Sequence, residues 1–123
     1  MDIITVKMLF KLFSGFDCET SSEYDPVIEM SMAEAERMLI SDIYRSDVRL
    51  NYLSAAIANY RYRQILCAQD RSEVTFAGKM SKDEHDISLT YAEKMLRDYL
   101  RLCSDILKNA DFVFIAFSTG EEV

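Results

Sequence analysis

The chain has 123 residues, a formal net charge of −7, and apolar residues at half of its positions. This length predicts one domain that is large enough to bury a core of its own. Three glycines and one proline are few for such a chain, which favours long helices over many tight turns. Nucleic acid is not an expected partner of so acidic a chain, because basic residues that neutralise phosphates dominate that affinity.

The charge is distributed unevenly along the chain. Residues 1–45 carry nine acidic and four basic residues, residues 46–80 carry three and five, and residues 81–123 carry nine and five. An acidic protein with a mildly basic middle segment is suited to contacts between its own copies, with a basic patch against an acidic one. The alternative is that these charges only solvate the outer faces of helices.

Targeting signals are not apparent in the sequence. Residues 1–13 lack the basic leader and the small-residue cleavage site of a signal peptide. No apolar run approaches the roughly 20 residues that a membrane-spanning helix needs. We therefore expect a cytoplasmic protein that makes no use of a membrane.

The first predicted element is a short amphipathic helix over residues 3–13, followed by a linker. Its periodicity places these apolar side chains together on one side: Met8, Leu9, Leu12 and Phe13. Residues 14–25 are polar and rich in turn-forming residues. They end at Pro26, which is well placed to begin the next helix.

The second predicted helix ends near residue 44, and its start is open between residues 27 and 32. Ser31 and Glu34 match a capping box, in which the serine caps the helix amides and the glutamate reaches back. The apolar residues recur at helical spacing and predict the buried face: Met32, Ala35, Leu39 and Ile43.

The third predicted helix, residues 46–69, has the clearest pattern in the chain. One stripe contains Val48, Tyr52, Ala55, Asn59, Tyr62 and Leu66, and a second stripe beside it contains Leu50, Leu53, Ile57 and Tyr60. An apolar arc wider than one face predicts a central helix that contacts other elements on two sides. Asn59 lies within this arc, so we expect a hydrogen bond to its amide if it is buried.

The fourth predicted helix runs from about residue 88 to 109, after a loop over 71–87. Within this loop, residues 73–80 are β-prone and predict a short hairpin or an extended segment. Ser81 and Thr90 each begin a capping-box pattern, which leaves the start of the helix open. The apolar stripe of this helix contains Ala92, Leu96, Tyr99, Cys103 and Ile106, with Met95 and Leu102 beside it. We expect it to pack antiparallel against these residues of the third helix: Tyr52, Ala55, Ile57, Asn59, Tyr62 and Leu66.

The end of the chain carries an apolar run that predicts a strand over residues 111–117. Each large apolar side chain contributes roughly 1.5–3 kcal/mol when buried, so this run needs a core or a partner. The predicted fold is therefore a mainly α domain over 1–123, a small bundle of about four helices. It consists of an N-terminal helix and polar linker (1–25), a helical core (26–117) and a tail (118–123).

The residues suggest no catalytic, cofactor or metal site, and we do not expect an enzyme. His85 is the only histidine and is predicted to lie in a solvated loop among acidic residues. A metal site at His85, or a cysteine nucleophile activated by it, is the less favoured alternative. The three cysteines are widely spaced without a CxxC motif, and Cys67 and Cys103 are expected to be small buried side chains.

The order of elements resembles a known family of assembly proteins. A helix over 52–62, a β-prone loop over 74–80, a helix containing 92–97 and a closing apolar run over 111–117 are similar to the head–tail connector (adaptor) family of tailed phages and prophages. The resemblance covers roughly residues 48–117. It implies a structural subunit that forms a ring beneath the portal, in the cytoplasm of a bacterial host or on the virion, and that docks on a portal or tail protein.

In such rings an extended loop and the chain ends reach neighbouring subunits. We therefore predict a homo-oligomer in which the apolar run of one chain pairs with the β-prone loop of the next. The predicted interface residues are Arg71, Val74, Phe76, Lys79, Phe112, Phe114, Ile115 and Phe117. The alternative function is a small acidic regulatory module that binds another protein, of the inhibitor or antitoxin type.

Overall fold

The protein is a small helical bundle. The computed structural model describes the backbone of residues 1–72 and 79–108 and the side chains of residues 1–69 and 85–108. The helices are α1 (Ile3–Ser14), α2 (Asp25–Arg37), α3 (Arg49–Ser72) and α4 (Lys79–Leu102), with a short 3-10 helix at Asp42–Tyr44. This architecture confirms the predicted mainly α bundle. Within the described ranges the β structure is limited to one isolated bridge between Leu39 and Leu107.

Helix α1 forms where the sequence predicts it. The Asp2 carboxylate accepts a hydrogen bond from the Ile4 amide at 3.2 Å and caps the first turn. The helix ends at Gly15, whose φ of 78° is a conformation that glycine adopts without steric cost.

The apolar side predicted for α1 is not the side that the bundle buries most deeply. The helix buries Val6 and Phe10, whereas Met8 and Leu12 are exposed and Phe13 is half-buried. Large apolar residues surround nearly the whole circumference of α1, so their periodicity does not select one face. Packing against the rest of the bundle makes that choice.

Helix α2 begins one residue before Pro26, as the proline predicts. The predicted capping box does not form, because Ser31 lies inside the helix and is buried. Its hydroxyl donates to the Val27 carbonyl at 2.7 Å. The helix ends at Arg37 rather than near 44, and Ile43, which the periodicity placed on the buried face, is exposed on the 3-10 helix.

Helix α3 is central, as predicted, and packs against α1, α2 and α4. Its pairing with α4 is antiparallel, because its two ends meet opposite ends of α4. At the start of α3, Arg49 Nη1 lies 2.8 Å from Asp105 Oδ1, just beyond the end of α4. Further along α3, Cys67 Sγ lies 3.7 Å from Asp86 Oδ1, near the start of α4.

Two clusters of buried side chains lie on different sides of α3. We call the first the aliphatic cluster; it joins α3 to α4 and the end of α2 through Leu50, Leu53, Ala56, Ile57, Leu96, Leu100, Cys103, Ile106, Leu107, Ala35 and Leu39. We call the second the aromatic cluster; it joins α3 to α1, α2 and their linker through Val6, Phe10, Cys18, Tyr24, Ile28, Ala55 and Ala58, with Phe16 and Tyr62 packed against them.

This division corrects the predicted pairing of α3 with α4. Ala55 and Tyr62 were expected to face α4, but both belong to the aromatic cluster. Asn59 is buried, with 3% of its surface exposed, yet its Oδ1 has no hydrogen-bond partner among the described residues. The hydrogen bond expected for this oxygen is therefore absent from the described part of the chain.

Helix α4 begins earlier and also ends earlier in the chain than the sequence predicts. It begins at Lys79, so the second part of the predicted loop 71–87 is helical, and so are residues 71–72 at the end of α3. Ser81 and Thr90, the two predicted capping residues, both lie inside α4. The Thr90 hydroxyl donates to the Asp86 carbonyl at 2.9 Å.

After α4 ends at Leu102, the chain turns back onto the segment that follows α2. The Ile40 amide donates to the Ile106 carbonyl at 2.9 Å, and the Lys108 amide donates to the Met38 carbonyl at 2.7 Å. These bonds end the helix before residue 109, where the sequence placed its end. Residues 73–78 of the predicted hairpin and the predicted strand 111–117 lie outside the described residues.

Candidate interaction surface

The predicted interface falls largely outside the described part of the chain. Arg71 lies in the last turn of α3 and Lys79 is the first residue of α4; the structure describes their backbone only. The remaining six predicted residues lie in undescribed segments: Val74, Phe76, Phe112, Phe114, Ile115 and Phe117. Their pairing between subunits stays a prediction.

His85 does not lie in a loop, as the sequence predicts, but within α4, where it is half-buried. In the described ranges, no group of three or more His, Cys, Asp or Glu residues is placed to hold a metal ion. None of the helices described combines the length and the apolar character that crossing a bilayer requires.

The three cysteines are buried free thiols, which confirms the prediction for Cys67 and Cys103. Burial raises the pKa of the Cys103 thiol to about 11, and it also raises the pKa of the Cys18 thiol. Because the thiolate is the reactive form, both groups are held in their less reactive state.

An open groove runs along one side of α4, beside the edge at which Tyr99 contacts α1 and α3. Its volume is about 590 Å³, and it is lined by Tyr91, Lys94, Met95, Asp98, Tyr99 and Leu102. We call this set the outer face of α4. Tyr91 is 66% exposed and Leu102 is 54% exposed, so large apolar groups stand in solvent at both ends of the groove. Exposed apolar groups at both ends of one groove make this side of α4 a candidate interaction site.

The charged groups of the outer face are themselves exposed. The Lys94 ammonium lies 5.7 Å from the centre of the Tyr91 ring, within reach of a cation–π contact. Asp98 is within 3.8 Å of Arg101 one turn later in the helix. A lysine and an aspartate four residues apart give this face both signs of charge beside its apolar groups.

A stack of three aromatic rings anchors one edge of the outer face to the rest of the bundle. The Tyr99 ring lies 5.8 Å from the Phe13 ring of α1 and 5.8 Å from the Tyr52 ring of α3, each at an interplanar angle of 28°. Burial raises the pKa of the Tyr99 hydroxyl. These contacts connect this edge of the outer face to α1 and α3.

A second exposed apolar surface lies on α1. Ile4, Met8 and Leu12 recur every four residues and are 68%, 63% and 75% exposed. We call these three residues the α1 stripe. Along one edge of the stripe, Lys7 pairs with Asp25 at 3.3 Å and Lys11 pairs with Asp17 at 3.7 Å.

Sequence reasoning did not identify either surface, although both leave a signal in the sequence. Two residues of the α1 stripe, Met8 and Leu12, were predicted to lie on the apolar side of the helix, but that side was not assigned to an interaction. On α4, Met95 and Leu102 were noted beside the inner stripe, and an apolar set on two sides of a helix indicates two contacts.

Comparison of the chain with protein-family models, with curated proteins and with solved structures gives no match.

Proposed function

We propose that this protein is a structural assembly subunit that associates with copies of itself and docks on a portal or neck protein, as its resemblance to the head–tail connector family implies. The observation that carries the proposal is the pair of exposed apolar surfaces, the outer face of α4 and the α1 stripe. An assembly subunit needs more than one contact surface, because a single contact between two copies leaves nothing to bind the next component.

The energetics of these surfaces support an interaction role. Met95 and Tyr99 of the outer face pack against the aliphatic cluster, but its exposed ends, Tyr91 and Leu102, belong to neither cluster. The α1 stripe also belongs to neither cluster, so these exposed groups are not needed to complete the described core. Covering a side chain such as Leu12 or Leu102 contributes up to roughly 1.5–3 kcal/mol. A few such contacts are enough to favour association, although ordering the interface offsets part of the gain.

The mass of the chain in solution tests the proposal. We expect light scattering over a wide concentration range to give a mass above that of the monomer, and to give a larger mass as the concentration rises. A second arm uses a chain truncated after Asp111, for which we expect weaker higher-order assembly and a retained helical circular dichroism signal.

Two outcomes contradict parts of the proposal. A full-length chain that stays monomeric at high concentration removes the self-association on which the proposal rests. A truncated chain that unfolds assigns residues 112–117 to the core of the monomer instead of to an interface. Genes for portal, capsid and tail proteins beside the gene for this chain would support the connector role in particular, and their absence would count against it.

The groove on α4 also favours a second candidate function, an acidic regulatory module of the inhibitor or antitoxin type. A groove of this kind can receive an amphipathic helix from a different protein. This function predicts a monomer that binds one partner in a fixed ratio, so the mass measurement distinguishes it from the assembly subunit.

A further inference from the structure

We infer that the outer face of α4 binds the same face of a second copy, with the two α4 helices antiparallel. The inference rests on the self-association proposed above and adds the surface and the geometry of the contact. It is carried by the spacing of the exposed residues along α4 and by the placement of their charges.

The spacing on the outer face matches a seam between two helices. Tyr91, Met95, Asp98 and Leu102 follow one another at intervals of four, three and four residues. This is the a and d pattern of helices that pack side by side with knobs-into-holes contacts. Three of the four positions are large and apolar, and the aspartate is one polar position within the seam.

The ends of this seam are complementary in an antiparallel pair. Tyr91 and Leu102 lie at equal distances from a midpoint between residues 96 and 97. An antiparallel partner centred there places Tyr91 of each copy opposite Leu102 of the other. Both exposed ends of the groove are then covered at once, which is the self-complementary arrangement of a two-fold dimer.

The charges favour the same orientation. In the antiparallel pair, residue 94 of each copy is level with residue 99 of the other, so Lys94 lies about one helical position from the level of the partner copy's Asp98. The pair therefore contains two symmetry-related contacts of opposite charge. A parallel pair in register would place Lys94 beside Lys94 and Asp98 beside Asp98, and like charges in contact disfavour a complex.

The α1 stripe does not have this self-complementary pattern. The charged side chains that α1 itself contributes at its edge, Lys7 and Lys11, are both basic, whereas α4 contributes a lysine and an aspartate to its outer face. Two α1 helices packed through the stripe would bring basic edges together in a parallel pair and gain no opposite charge in an antiparallel one. We therefore assign the contact between copies to α4.

Exchange of the two charges tests the inference. Lys94→Glu leaves two acidic residues at the seam, and Asp98→Lys leaves two basic ones, so each variant alone repels its own copies. We expect each to raise the dissociation constant of the pair at least about tenfold. The double variant restores opposite charges, and an equimolar mixture of the two single variants should form a heterodimer as tight as the wild-type pair.

Sedimentation equilibrium of each variant and of the mixture gives these constants, and circular dichroism checks that each chain is folded. Asp42→Lys is the matched control, because Asp42 also pairs with a basic residue three positions away, Arg45, but lies on the 3-10 helix and does not line the groove. This control should associate like the wild type.

The outcomes separate this inference from the proposed function. If the wild type associates and both single variants associate equally well, the α4 contact is wrong, while self-association stands. The same conclusion follows if the single variants lose association but their mixture does not regain it. If the wild type is monomeric at every concentration, the inference and the proposed self-association both fail.

Discussion

The two sides of α3 are built from different side chains, although they belong to one helix. On the side of α3 that faces α4, leucines and an isoleucine of α3 pack against leucines of α4 in the aliphatic cluster. Toward α1 and α2, alanines line the surface of α3, and rings from α1 and the linker lie against it in the aromatic cluster. Small residues on α3 leave the space that large rings on the other elements fill, so both sides reach dense packing in different ways.

The geometry of the aromatic cluster is specific. The Tyr62 ring lies 5.7 Å from the Phe10 ring at 78° and 4.8 Å from the Tyr24 ring at 88°. Such edge-to-face pairs stabilise a fold by about 0.5–1.5 kcal/mol beyond the burial of their area. The aliphatic cluster has ring contacts at its edge, where Phe13 and Tyr99 stack, and its interior contributes mainly through the apolar area that it buries. The two clusters should therefore respond differently to truncation.

The largest effect is expected from Phe10→Ala in the aromatic cluster. Phe10 is fully buried and contacts the rings of Phe16 and Tyr62. Its removal should lower the free energy of unfolding by about 3–5 kcal/mol, because it leaves a cavity and removes two ring contacts. Urea denaturation measures this loss, with Met8→Ala on the exposed side of α1 as the control. A loss no larger than that of the control would show that α1 is not held by Phe10.

Leu96→Ala tests the aliphatic cluster in the same way. Leu96 is fully buried on α4, and its truncation should cost about 2–5 kcal/mol in the free energy of unfolding. The matched control is Leu102→Ala, the same chemical change on the exposed outer face, which should cost less than about 1 kcal/mol in the monomer. A loss at residue 96 below about 1 kcal/mol would contradict the placement of this face against α3.

A smaller effect is expected at Asp47, which stabilises the start of α3. Its carboxylate accepts a hydrogen bond from the Arg49 amide at 2.9 Å and pairs with the Arg49 guanidinium at 2.8 Å. Asp47→Ala should lower the free energy of unfolding at pH 7 by about 0.5–2 kcal/mol, as for other capping residues. Asp42→Ala, at an exposed ion pair, should cost less and serves as the control.

The effect of Asp47 should depend on pH. Hydrogen bonds from the Arg49 side chain and amide lower the pKa of the Asp47 carboxyl below its ordinary value. A lowered pKa in the folded state means that this stabilisation is complete above the ordinary pKa of about 4 and is lost as pH falls through the lower, folded value. The difference between wild type and Asp47→Ala should therefore shrink on acidification. If the difference in stability between the two chains persists after Asp47 is protonated, it arises from packing of the side chain and not from its charge.

The smallest effect is expected from His85→Ala. His85 is half-buried on α4 and belongs to neither cluster. Its removal should change the free energy of unfolding by less than about 0.5 kcal/mol and should leave association unchanged. Tight stoichiometric metal binding by the wild type that His85→Ala abolishes, measured by calorimetry with Zn²⁺, would contradict the structural role and indicate a site.

The central position of α3 could be predicted because it follows from the pattern of apolar residues along the helix. Two neighbouring apolar stripes leave the helix no broad polar side, and alanines at 55, 56 and 58 indicate close approach. Which stripe meets which partner could not be predicted. Ala55 and Ile57 are two residues apart and point to different sides of the helix, so their assignment to separate clusters depends on where α1 and α4 lie.

Local capping signals were the least dependable part of the prediction. Ser31, Ser81 and Thr90 match the start of a helix in sequence, yet all three lie inside helices. A serine or threonine can donate to the carbonyl four residues earlier, as Ser31 and Thr90 do, and so lies within a helix without a cap. The helix starts elsewhere because packing of the whole helix outweighs one capping bond.

The sequence by itself determined that the protein is a helical bundle with α3 at its centre, and that a linker before Pro26 joins α1 to α2, although Cys18 and Tyr24 of this predicted polar linker are buried in the aromatic cluster. These features follow from periodicity, from the scarcity of glycine and proline, and from the fixed φ of proline, all of which are local properties. The tertiary structure alone decided which side of α1 is buried, where α4 ends and which face of α4 remains open. The physical reason is that these helices carry apolar residues on more than one side, so the choice depends on the positions of the other helices.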